Sequence, residues 1–91
     1  MNAMNTHKSF DVNDVYSFVE HIMSECRKHH EYVLLAQIDN ALHLGSSGLE
    51  ILGALQKTLI QNRHTIVHLL GAIGEKEIDY VIAAVDKMYG R

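Results

Sequence analysis

Seven histidines in a chain of 91 residues are the first candidates for chemistry. His64 and His68 stand four apart, so on a helix they share one face, the spacing of a two-point grip on a divalent metal. The zinc-peptidase form of that pattern puts a glutamate directly after the first histidine as general base. Thr65 occupies that place, and the peptidase reading fails. A di-iron bundle needs glutamates from several helices together with Glu-x-x-His pairs, which Glu31 and Glu50 do not supply. His29-His30 and His43 have no partner at ligand spacing, and His7 falls in a polar N-terminal stretch. His64 and His68 are therefore expected as partly exposed helix residues, with a metal-binding bundle built on them as the alternative reading, and no metal or other cofactor is expected.

Cys26 precedes His29 by three residues and His30 by four, so a thiol and an imidazole meet if both lie on one helix. A nucleophile also needs an orienting acid and an oxyanion donor, and the sequence identifies neither. No enzyme is expected. A lone cysteine has no internal disulfide partner and reads as a small buried hydrophobe in a reducing compartment, hence a cytoplasmic protein.

Gly45-Ser46-Ser47-Gly48 has the residue types of a phosphate loop but lacks the Lys-Ser/Thr pair that follows the glycines there. Ser47 with Glu50 three residues later reads instead as a capping box. The serine oxygen takes the Glu50 N–H, and the carboxylate reaches back to the Ser47 N–H. Gly45 is expected to close the preceding helix in a left-handed conformation.

Leu34 to Leu55 then has the outline of a helix-turn-helix. The would-be recognition helix, however, opens on Leu49, Glu50, Ile51, Leu52 and Ala54, where base edges and phosphates call for Arg, Lys, Asn or Gln. With a net charge of −3 there is no basic footprint either, so neither nucleic acid nor an anionic membrane is expected as a partner. No run approaches the ~20 apolar residues of a membrane span.

The elements that must carry these residues are helical. The chain has 47% hydrophobic and 21% charged residues, six glycines and no proline. Few breakers and apolar residues at three-and-four spacing predict an all-α fold. Residues 1–9 read as a disordered tail, with Met4 a second candidate start, and residues 10–91 as a single helical domain. Asp11 is the expected first N-cap, with Phe10 and Val15 at the positions of a hydrophobic staple. Val12, Val15, Val19, Ile22, Met23 and Cys26 form the first stripe. Leu34, Leu35, Ile38, Ala41 and Leu42 form the second, with a break expected at His29-His30-Glu31, since one helix across both stripes would far exceed the mean length.

The helix after Ser47 is apolar nearly all round in its first two turns, the pattern of a helix with neighbours on every side. Gly53 inside it implies close approach of a neighbour, and Gln56, Lys57, Gln61 and Asn62 supply a polar side. This helix either breaks near Asn62, giving five helices, or runs on to about Leu70, giving four. Gly71 and Gly74 are expected to end it, with Gly74 as the N-cap of the last helix and Ile73 and Ile78 as a second staple. The last helix buries Ile78, Val81, Ile82, Val85, Met88 and Tyr89, and Gly90 stops it.

Four wide apolar stripes, with Tyr16, Phe18, Tyr32, Tyr80 and Tyr89 beside them, amount to more apolar surface than a domain this small covers by itself. The resulting expectation is a helical bundle that binds protein, as a homodimer and with another protein, in the manner of small regulatory, adaptor or immunity modules.

Overall fold

The computed structural model describes residues 11–45 and 47–91. Phe10 and its staple, His7, and the tail assigned to residues 1–9 lie outside the described residues. The chain is all-α, with helices α1 (Val12–Lys28), α2 (Tyr32–Leu44), α3 (Gly48–Gln61) and α4 (Arg63–Met88).

Each helix begins or ends where local chemistry requires. Asp11 caps α1: its Oδ1 accepts the Asp14 N–H at 3.1 Å, and Asp14 Oδ2 accepts the Asp11 N–H at 2.9 Å. The break at His29-His30-Glu31 is present. His30 adopts φ 60°, and the Glu31 N–H donates to the Cys26 carbonyl at 2.9 Å, the long bond of a Schellman turn. The same turn closes α4, where Gly90 at φ 77° is followed by an Arg91 N–H donating to the Asp86 carbonyl at 2.8 Å.

At the next junction Ser47 Oγ accepts the Glu50 N–H at 3.1 Å and Glu50 Oε1 accepts the Ser47 N–H at 3.3 Å. Gly45 departs from expectation. Its φ of −102° and ψ of 166° are extended, not left-handed. The reason for glycine here is space, because a Cβ would lie 2.5 Å from the Glu50 Cβ.

The break at Asn62 is also present, and the helical backbone is interrupted at Gly71 as expected, but as a kink within one element and without a cap at Gly74, so the helices among the described residues number four rather than five. Gly71 has φ 74° and ψ −157°, a sharp kink inside α4 rather than its end. A straight helix would hold Arg63 and Asp79, sixteen residues apart, about 24 Å from each other. The Arg63 guanidinium instead donates to Asp79 Oδ1 at 2.7 Å and lies 3.6 Å from Glu75 Oε2, so the two arms of α4 fold toward one another. Gly74 is not an N-cap. It is buried within the second arm, where a Cβ would press on Leu70. The Ile73 staple fails with it, since Ile73 is 75% exposed.

Packing runs from α1 to α2, α2 to α3, α3 to α4 and from α4 back to α1, a closed ring of neighbours. Val15, Val19, Ile22 and Cys26 from α1, Leu34 and Ile38 from α2, Leu55 and Leu59 from α3, and Ile66, Ile78, Val81 and Val85 from α4 fill the core. Burial of such side chains at about 25 cal/mol per Å² is the main force holding the ring together.

Candidate functional site

α3 is the helix whose surroundings differ most from expectation. Its composition called for neighbours on every side, yet it packs on α2 and α4 and not on α1. Leu52, Leu55, Gln56 and Leu59 face the core. Leu49 and Ile60 remain 42% and 49% exposed, and Gly53 and Ala54 are half-buried.

The open side of α3 is concave. A hollow of about 630 Å³ is lined by Leu44, Gly45, Glu50, Gly53, Ala54, Lys57 and Tyr89. It meets a second of about 320 Å³ that extends between α2 and α3 past Asn40, Ala41 and Thr58 to Gln61. The two share Leu44, Ala54 and Lys57. The floor is small residues, the rim carries an exposed aliphatic side chain in Leu44, and Lys57 stands exposed where the hollows join.

One wall of this cleft is built by the C-terminal residues. Tyr89 donates its hydroxyl to the Leu49 carbonyl at 2.7 Å and rests on Gly53. The close approach that Gly53 implied is thus made by a side chain at the end of α4. The Arg91 guanidinium lies 4.5 Å over the Tyr89 ring and donates to Gln56 Oε1 at 2.7 Å and Asp86 Oδ1 at 3.1 Å. Gln56 Nε2 in turn donates to the Ile82 carbonyl at 3.0 Å and to Asp86 Oδ1 at 2.9 Å. Gln56 belongs by sequence to the polar side of α3 but is buried, and both ends of its amide are engaged. The Gln56 amide first, and Arg91 after it, hold the Asp86 carboxyl below the ordinary carboxylate range.

The sequence-derived candidates lie elsewhere. His64 and His68 are both exposed on the first arm of α4. Among the described residues no group of three or more His, Cys, Asp or Glu side chains is placed to hold a metal ion. Cys26 sits in the core, where burial first, and the charge of Glu31 after it, push its thiol above the ordinary value and disfavour the thiolate. His29 turns instead to Glu25, its Nε2 3.6 Å from Oε1. His43 donates from Nδ1 to the Asp39 carbonyl at 2.8 Å, a local helix contact.

His21, which the residue patterns did not single out, approaches Glu25 from the other side, Nε2 to Oε2 at 3.9 Å. The four-residue steps His21, Glu25, His29 were the available signal. A Lys28 hydrogen bond of 3.2 Å is the main reason Glu25 sits below the ordinary carboxylate range. Among the described residues no helix is long and apolar enough to cross a membrane. No family model, curated protein or solved structure matches the chain.

Proposed function

We propose that the chain is a non-enzymatic helical bundle that binds protein and works as a homodimer. One observation carries this reading: α3, apolar nearly all round in its first two turns, packs among the described residues on α2 and α4 alone, and its other side is a cleft floored by Gly53 and Ala54 with Leu44, 74% exposed, on its rim. Apolar side chains left in water at a concave surface gain free energy when a second protein covers them. The aromatic wall supplied by Tyr89 is of the residue type that protein interfaces favour.

Sedimentation velocity and native mass spectrometry of the untagged protein, from low micromolar to submillimolar concentration, test it. The expected species is a dimer with no added mass. A monomer across the whole range overturns the homodimer. A monomer carrying the mass of zinc or iron directs attention to His64 and His68 instead.

A further inference from the structure

We infer that two copies of this chain dimerise by exchanging the second arm of α4, residues 72–88, with α4 straightened at Gly71. This rests on the homodimer reading and names how the dimer is made. Two glycines that only the bend requires carry it. Gly71 holds φ 74° and ψ −157°, a conformation open essentially to glycine alone. Gly74 has a helical backbone, but the bend presses it on the turn before, so that a Cβ would lie 2.6 Å from the Leu70 Cβ. In a straight helix residues four apart hold their Cβ atoms about 5–6 Å from each other, and that collision is absent. Nothing else in α4 calls for a bend. The segment has no proline, and Leu69, Leu70, Ala72 and Ile73 around Gly71 are residues that a helix accepts.

Straightened, the 26 residues of α4 form a rod of about 39 Å. Its second arm then leaves the core of its own chain, and Ile78, Val81 and Val85, all fully buried in the closed chain, need another place to go. The place shaped for them is the same groove in a second copy, which is why the partner is this chain and not an unrelated protein. The polar anchors fit as well. Gln56 on α3 holds the Ile82 carbonyl and the Asp86 carboxylate, and the Leu49 carbonyl holds the Tyr89 hydroxyl, in each case from the other copy after exchange.

Closed and exchanged forms therefore differ mainly at the hinge. There the exchange relieves the conformation at Gly71 and the crowding at Gly74. It also sets the two hinge segments side by side at the two-fold axis. Ala72 and Ile73, the latter 75% exposed in the closed chain, are covered by their copies. Arg63 distinguishes exchange from any other dimer. It bonds Asp79 at 2.7 Å across the bend, and along a straight α4 the two stand about 24 Å apart, so the pair then forms only between chains.

The test uses the full chain, refolded from urea at submillimolar concentration and read by native mass spectrometry and sedimentation velocity. Gly71→Ala and Gly74→Ala each penalise the bend, one through the backbone and the other through space. Each should lower the dissociation constant of the dimer at least about tenfold. Arg63→Glu and Asp79→Arg are then refolded together. Either variant alone sets like charges against each other, whereas a mixed exchanged dimer pairs opposite charges at both crossings. Mixed dimers should exceed the half expected of random pairing.

Tighter dimers in the alanine variants together with preferential mixing support the exchange. Where an alanine variant fails to fold, the mixing result alone decides. A wild-type dimer that neither alanine tightens and that mixes at random overturns the exchange and leaves the homodimer standing on another surface. A wild type that stays monomeric after refolding overturns both.

Discussion

The Tyr89 hydroxyl rests on the α-carbon position of Gly53, and its proton goes to the carbonyl of Leu49 one turn earlier on α3. The end of α4 is thereby fixed to the start of α3. The contact also explains a glycine in the middle of a helix, which costs about 1 kcal/mol relative to alanine. An alanine methyl would strike the hydroxyl and the ring carbon behind it, so the substitution exchanges a propensity gain for a lost contact.

The first prediction follows from that exchange. Gly53→Ala should lower stability in the wild-type chain, displacing Tyr89 and losing a hydrogen bond worth about 1 kcal/mol together with ring packing. In a Tyr89→Ala background the same substitution should raise stability, by up to about 1 kcal/mol, because only the propensity gain remains. Urea denaturation of the four proteins of this cycle measures the coupling. Additive effects would show that Tyr89 is not what requires glycine at position 53.

A second prediction concerns acid. The Asp86 carboxyl, held low by the Gln56 amide and then Arg91, titrates below its value in the unfolded chain, which is near 3.9. A carboxyl whose folded value is depressed contributes stability that is complete above the unfolded value and fades as pH falls through the folded one. Unfolding midpoints should therefore fall as pH drops below about 5. Gln56→Met or Asp86→Asn should make that decline shallower. An unchanged pH profile in both variants would mean that this network does not contribute to acid sensitivity.

The boundaries of the first three helices were legible because each rests on neighbouring residues. Asp11 with Asp14, the polar His29-His30-Glu31 interruption and Ser47 with Glu50 are signals that act within a few positions, and the core-facing Val15, Ile22, Ile38 and Leu55 follow from periodicity alone. Gly71 and Gly74 were read as a stop and a fresh N-cap because a glycine signals freedom of φ and not whether the chain beyond it continues as an arm of the same element. What decides that is the packing of the two arms, which buries Ile66 from one and Ile78, Val81 and Val85 from the other in the same core and lets Arg63 reach Asp79 across the kink. Gln56 was misplaced for a related reason. Its partners Ile82 and Asp86 lie 26 and 30 residues away, and a polar residue reads as solvent-facing until such partners are in view. The cleft beside α3 depends on which helices fail to touch, and no local pattern encodes that.

Gly71 carries the third prediction. Its φ of 74° with ψ of −157° falls in a region open essentially to glycine alone. Among the described residues nothing beyond its chain neighbours and its own helix backbone lies within 4 Å of where a Cβ would stand, so the penalty for a side chain there is one of backbone strain and not of collision. Gly71→Ala should cost about 1–3 kcal/mol. Gly71→Asn should cost about as much, since the left-handed helical region that asparagine tolerates is a different one. Thermal or urea unfolding decides it. An asparagine variant as stable as wild type would place Gly71 in an ordinary left-handed turn.

His30 holds in α1 the place that Gly90 holds in α4. Both follow the C-cap of a helix, both have positive φ, and both are followed by an N–H that closes onto a carbonyl five residues back. Only one of them is glycine. A side chain in the left-handed region costs about 1–2 kcal/mol, through the approach of its Cβ to the following carbonyl oxygen. What His30 gains in return is an exposed hydrogen bond between its Nδ1 and the Tyr32 hydroxyl at 2.9 Å, with the two rings tilted against each other at 5.7 Å. Exposed contacts of that kind return less than the strain they accompany. His30→Gly should therefore stabilise the chain by up to about 1 kcal/mol, with His30→Asn between the two. Denaturation midpoints at neutral pH provide the measurement. A glycine variant less stable than wild type would show that the His30–Tyr32 contact, and not the turn, sets the α1–α2 junction.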